Sequence, residues 1–447
     1  MRPSSSPSDP AGLFDGVLAA GGVRAAVGDD AWVGALLSAE AALARAAARI
    51  GLATEEDAEA VAAACAALRV DPGVLGAEAA DTGNPVVPLV RRLRAALPGD
   101  AARLVHRGAT SQDIVDTAAM LVARDALTVL LADLAAAIEL TATLANAHRA
   151  TPVAGRTLLQ QALPTTFGLV AAGWLAGLDT ARRRLTEVRD HRLAAQLGGA
   201  AGTLAAYDTA GVDLLAAFSA ETGLAEPVLP WHAERTRVAD LAAALGATAG
   251  VVAKVAGDLI LYAQTEVGEL AEGGDGGGSS AMPHKRNPVA SISAVAAAAQ
   301  APGLVATLLA AMPQEHQRAA GGWHAEWRPL RALFESTGSA VRQLRRALTG
   351  LRVDTDRMRA NLDLTGGALL AERVAVALRP VLGAEAHDVV REALAREADQ
   401  PALDLLANDP AISAHLSGVQ LARLLDPASY VGSSDALIDR ALRWAGR

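Results

Sequence analysis

Residues 111–148 read SQDIVDTAAMLVARDALTVLLADLAAAIELTATLANAH and contain neither glycine nor proline. In a helix interior a glycine costs about 1 kcal/mol and a proline about 3 kcal/mol relative to alanine, so their absence, with alanine recurring throughout, predicts one uninterrupted helix. Helices longer than about 25 residues belong to coiled coils, membrane spans or long bundles. No sustained heptad accompanies this one, which leaves the bundle. Further helices are expected at roughly 165–196, 235–271, 286–312 and 325–349, and no run of alternating β-branched residues predicts a substantial sheet.

Shorter elements flank these on both sides. Trp32, Leu36, Leu43 and Ile50 share one helical face before Gly51 ends it. Thr54 opens the next helix, with Glu55, Glu56 and Asp57 in its first turn. Pro98-Gly99 closes a short helix bearing Arg91, Arg92 and Arg94, and beyond Val353 the chain is punctuated again by Gly366-Gly367, Pro380, Pro401 and Pro410. The expectation is an all-α chain with a central long-helix bundle, residues 111–350, between an N-terminal helical domain, 1–110, and a C-terminal one, 351–447.

Composition narrows the function. A net charge of −9 argues against nucleic acid or an anionic membrane surface as partner, and an anionic substrate would need a local cluster of cations and helix ends. Cys65 is the only cysteine, which excludes an intramolecular disulfide and a thiolate metal cluster and reads as a buried inert thiol. The polar, proline-rich first ten residues carry no apolar secretory core, so a cytoplasmic location is expected. Three uncharged stretches, 157–178, 193–207 and 288–314, are interrupted by glutamine and proline. They are read as helices buried all round in a bundle or oligomer, with no membrane span.

The chemistry concentrates at Gly273-Gly274-Asp275-Gly276-Gly277-Gly278-Ser279-Ser280-Ala281-Met282-Pro283-His284-Lys285-Arg286-Asn287-Pro288. Five glycines around one aspartate cannot stay helical. The result is a backbone-exposing loop followed by two hydroxyls, an imidazole, two cations and an amide. A second segment, His106-Arg107-Gly108-Ala109-Thr110-Ser111-Gln112-Asp113, leads into the longest helix. Thr110 or Ser111 would be its N-cap, at a helix end suited to anions, and capping and substrate contact can coexist there. A third runs Gly155-Arg156-Thr157-Leu158-Leu159-Gln160-Gln161. Neither a metal-ligand spacing nor a nucleotide-binding fingerprint is present, so no metal and no cofactor are expected.

Ser279 to Pro288 resembles the signature of the fumarase/aspartase superfamily, and the other two segments match its further regions. The resemblance implies that Ser279 is the general base, held as an alkoxide by loop N–H groups and nearby cations. It implies that Lys285 acts with it at the carboxylate, and that Asn287, His106, Thr110, Ser111, Thr157, Gln160 and Arg318 bind substrate. Ser280, His284 and Arg286 would support the loop. A surface arginine is the alternative for Arg318, and core packing the favoured reading for Trp323 and Trp327. A small polycarboxylate substrate is implied, in sites shared between subunits of a homotetramer.

Two departures select a branch. Fumarases and amine-releasing lyases carry histidine where Leu158 stands, paired with a glutamate where Ile292 stands. Losing that acid should cost about 10²–10⁴-fold when the leaving group needs a proton. A carboxylate leaves as a stable anion and needs none, so reversible lactonisation fits. Segments including residues 83–90, 229–232, 264–269, 321–327 and 361–367 resemble bacterial 3-carboxy-cis,cis-muconate cycloisomerases. That branch implies conversion to 4-carboxymuconolactone in protocatechuate breakdown, with Ser279 protonating the α-carbon. Some members have tryptophan at the Leu158 position and histidine at the Gln161 position, and that histidine's role does not carry over. The alternatives are an adenylosuccinate- or argininosuccinate-type lyase, which Leu158 and Ile292 oppose, and an inactive structural relative, which the intact signature opposes.

Overall fold

The computed structural model describes residues 12–273, 277–278, 281–396 and 400–447. The chain divides into two compact units. The first takes Met1–Ala135, Thr180–Lys254 and Ser293–Leu344, and the second Ala136–Asp179, Val255–Ile292 and Arg345–Arg447.

Both are built from helices. Ser111–Ala147 is unbroken, as the lack of glycine and proline requires. Ile114, Ala118, Met120, Ala123, Leu127 and Leu130 along it have no exposed surface, so its first half is buried on more than one face. In the first unit the Asp29–Arg49 helix packs on Glu55–Ala67, and Leu36, Ala39 and Leu43 of the one and Val61 and Ala62 of the other are buried. Thr54 caps the second of these, its hydroxyl accepting from the Asp57 N–H at 3.1 Å. In the second unit, Val374, Leu378, Val390, Leu406, Ile412 and Leu421 form a small core of their own among the C-terminal helices. Each such side chain contributes about 1.5–3 kcal/mol on burial.

Several boundaries differ from expectation for local reasons. The helix begun at Thr236 ends at Tyr262, short of 271. The chain turns there, with the Gly268 N–H bonded to the Gln264 carbonyl at 2.7 Å, and Leu270–Ala271 pairs with Arg352–Val353. The 286–312 helix is two, Val289–Ala298 and Ala301–Ala310, because Pro302 cannot supply the N–H that would bridge the break. Residues 193–204 are not helical, and only a short 3-10 helix, Ala205–Ala210, follows. Leu193 to Gly199 are buried as irregular chain, tied down where the Gln196 side chain accepts the Trp231 N–H at 2.9 Å. The 157–178 stretch begins as a hairpin, Pro152–Thr157 paired with Gln160–Thr166, before the Phe167–His191 helix.

Among the described residues, four helices are long and apolar enough to cross a membrane by length and composition: Gly22–Arg49, Ser111–Ala147, Thr236–Tyr262 and Val289–Ala310. Between 33% and 56% of their apolar windows is buried within the chain.

Candidate active site

The residues singled out in the sequence fall into two groups, one in each unit. The first unit holds His106, Thr110, Ser111 and Arg318. The turn before the long helix is rigid: the Tyr207 hydroxyl donates to the Arg107 carbonyl, and Arg107 Nη1 donates to the Leu52 carbonyl at 3.0 Å. Gly108 sits at φ +72°, and a Cβ there would lie 2.6 Å from the Tyr207 ring, so no other residue fits. His106 itself has φ +57°, unusual for a non-glycine residue. Its Nδ1 is 2.7 Å from Glu40 Oε1.

The helix end is not an empty anion site. Asp113, in the first turn, folds its carboxylate back to accept the Thr110 N–H at 2.9 Å. It also accepts the N–H groups of Gly198 and Gly199 at 2.9 and 3.0 Å, and approaches His232 Nε2 at 2.6 Å. The positive end of the dipole is therefore partly met by the chain's own anion. A cation is supplied instead: Arg318 Nη1 donates to Thr110 Oγ1 at 2.6 Å, and Nη2 to the Ala200 carbonyl at 3.1 Å. Arg318 is thus fixed beside the helix start, which argues against an idle surface arginine. Its charge has no carboxylate partner among the described residues.

One turn further in, Arg235 lies buried between Asp116 and Glu326, with contacts of 2.8 and 3.0 Å to the first and 2.9 and 2.5 Å to the second. The Trp323 indole N–H adds a bond to Asp116 at 3.0 Å, and its ring meets Trp327 edge-on at 4.9 Å, so the pair packs as core. Burial pushes the Glu326 carboxyl above its usual range, against the opposing pull of Arg235.

The second unit holds Thr157, Gln160, His284, Lys285, Arg286 and Asn287. Thr157 and Gln160 face one another across a two-residue turn, and the turn is Leu158-Leu159, at φ +51° and +65°. Leu158 is 97% exposed. The hairpin is clamped one pair below its turn. Arg156 makes two bonds to the buried Glu269, at 2.9 and 2.7 Å, and Asn361 donates to the same carboxylate at 2.7 Å. Gln161 reaches the Asn361 carbonyl at 2.8 Å. Tyr262, beneath Arg156, has its phenol pushed up to about 12 by burial.

The signature loop is pinched at its ends. The Asn287 backbone and side-chain N–H groups both bond to the Gly277 carbonyl, at 3.0 and 3.1 Å. Gly277 adopts φ +82° and any Cβ there would collide with the Asn287 carbonyl. His284, Lys285 and Arg286 are exposed. Ser279 and Ser280 lie outside the described residues. Ile292, 47% exposed, follows on the next helix.

The sequence reading left Glu40 and Arg235 without a role. Asp113, Asp116, His232 and Glu326 stood within the segments it quoted, but nothing local announces a bond to a residue a hundred positions away.

Comparison with known proteins is consistent along the chain. The family model described as Lyase matches residues 23–303, and that described as Adenylosuccinate lyase C-terminus matches 367–441. Nitrosuccinate lyase of Streptomyces davaonensis is 47% identical, covering 96% of this chain and 94% of that protein. The 3-carboxy-cis,cis-muconate cycloisomerase of Pseudomonas aeruginosa is 46% identical, covering 96% and 95%. The crystal structure of 3-carboxy-cis,cis-muconate lactonizing enzyme from Pseudomonas putida superposes with a TM-score of 0.92 at 41% identity, over 97% of this chain and 99% of that one.

Proposed function

The chain belongs to the lyase family whose model it matches over residues 23–303, and from that membership we propose that it is a 3-carboxy-cis,cis-muconate cycloisomerase. The observation that carries the reading is the pair Leu158 and Ile292. Neither side chain can give or take a proton, so the site lacks the acid that an amine or hydroxide leaving group requires. A carboxylate requires none.

In this reaction one carboxylate oxygen of the substrate adds to the far double bond and closes a lactone. Negative charge moves onto a neighbouring carboxylate as an enediolate-like intermediate. Lys285, Asn287 and the helix start at Thr110-Ser111, with Arg318 beside it, meet that charge. Ser279, entering as the neutral hydroxyl, donates its proton to the α-carbon. Thr157 and Gln160 frame the substrate from the hairpin, and His106 contacts it from the turn. The enzyme works in the cytoplasm as a homotetramer with shared sites, and its apolar helices face other copies instead of lipid.

A second reading has a specific support. Nitrite is also stable as an anion and leaves without a proton, so the same two residues suit elimination of nitrite from nitrosuccinate, the substrate named for a relative 47% identical. There Ser279 as alkoxide would remove the proton and leave fumarate and nitrite.

Purified protein would be mixed with 3-carboxy-cis,cis-muconate while the conjugated-diene absorbance is followed, with nitrosuccinate, adenylosuccinate and argininosuccinate in parallel. Loss of the diene band with the other three intact is the expected result. Nitrite release from an otherwise inert panel would transfer the assignment to the second reading. Cleavage of either amine adduct would overturn the argument from Leu158 and Ile292.

A further inference from the structure

Glu40 is a buried carboxylate that the reaction described above does not use. It is 1% exposed and sits on the Asp29–Arg49 helix, and among the described residues its one hydrogen bond is to His106 Nδ1 at 2.7 Å. Its second oxygen is buried with no partner among those residues. A carboxylate placed in such surroundings for packing alone would be costly, since an alanine or leucine would fill the space without an orphaned oxygen. The partner is equally unusual. His106 holds φ +57°, a conformation that costs a non-glycine residue on the order of 1–3 kcal/mol and clusters at functional sites. The turn carrying it is fixed by Tyr207 and by the Arg107 bond to Leu52. Nε2, the other ring nitrogen, has no hydrogen bond among the described residues.

We infer that Glu40 is a positioning residue that accepts the Nδ1 proton of His106 and so fixes the ring's tautomer and orientation, leaving Nε2 to meet the substrate. The inference rests on the reading of His106 as a substrate contact. It adds what that reading lacks, namely which atom of the ring is offered and what holds it there. A carboxylate behind a histidine settles which nitrogen carries the proton and stops the ring from flipping.

The test is a double-mutant cycle on kcat/KM with whichever of carboxymuconate and nitrosuccinate the wild type turns over. His106→Ala is expected to lower kcat/KM about 100-fold, and Glu40→Ala about 10- to 100-fold. Glu40→Gln keeps an acceptor for the Nδ1 proton and should recover to within about tenfold of wild type. In the His106→Ala background, removing Glu40 should lower kcat/KM no further, because it acts only through the ring. If Glu40→Ala does not fold, Glu40→Asp replaces it, its shorter arm drawing the carboxylate away from Nδ1. An equal loss in both backgrounds, or no loss in either, overturns the inference. An unaffected His106→Ala instead sinks the substrate role of His106, and a wild type inert on both substrates sinks the functional reading together with the role of the pair.

Discussion

At the residue scale, burial decides chemistry more than identity does. Cys65 and Ser279 are both potential nucleophiles, yet in the sequence one sits in an alanine-rich helical stretch and the other follows a run of glycines. Cys65 is 5% exposed, and burial, aided by the charge of Glu40, pushes its thiol up to about 12. The unfolded thiol ionises near about 8.5. Because the folded value is the higher one, the stability this group contributes is fully present below about pH 8.5 and is lost as pH rises toward 12. Native protein at pH 8 should therefore resist iodoacetamide, and protein in guanidinium should react at one site per chain, read by mass spectrometry. Cys65→Ala should flatten the fall of Tm between pH 8.5 and 10. Fast alkylation of the native protein would show that the thiol is open to solvent.

At the element scale, the hairpin of Pro152–Thr157 and Gln160–Thr166 holds two consecutive leucines at positive φ. Two-residue turns with both central residues at positive φ favour Asn-Gly, whereas this one uses Leu158-Leu159. Leucines at such positions each cost on the order of 1 kcal/mol or more, and the exposed tip leaves them nothing to bury against within the chain. Replacing them together, Leu158→Asn with Leu159→Gly, should raise the Tm, and it lowers kcat/KM at least about tenfold if the apolar tip shields the substrate from water. Higher stability with unchanged kcat/KM would place the tip outside the site. The hairpin also marks where sequence legibility ends. The long helix at Ser111 could be read from missing glycines and prolines, and the Thr54 cap from its hydroxyl and the acids behind it. Residues 157–178 carry no charge and little alternation, and what bends them into a hairpin is distant: Glu269 and Asn361 seize Arg156 and Gln161 from more than a hundred positions away. The candidate site residues were singled out as motifs for the same reason the helix was, since their cues are local. Glu40 behind His106 was not, since that pair is 66 positions apart.

At the scale of the whole molecule, one chain's surface does not account for its own composition. Val289 and Ile292 on one helix, Leu309 on the next and Leu261 on the Thr236–Tyr262 helix are 38%, 47%, 45% and 41% exposed. Rows of apolar side chains on long helices are what a shared bundle between copies would cover. The proposed site residues are likewise divided, with His106 and Arg318 in one unit and Lys285 and Asn287, beside Ser279 in sequence, in the other. If each site draws these groups from different subunits, two inactive variants can repair one another. Ser279→Ala and His106→Ala should each be nearly inactive while running at the same oligomeric mass as wild type, about four times 45.5 kDa. Unfolded together and refolded as an equal mixture, they would form tetramers in which about a quarter of sites receive an intact Ser279 from one chain and an intact His106 from another. Activity should return to roughly that fraction of wild type. If both groups of a site came from one chain, every site would keep one lesion and the mixture would stay inactive, so the assay separates a shared site from a self-contained one without any structure of the assembly.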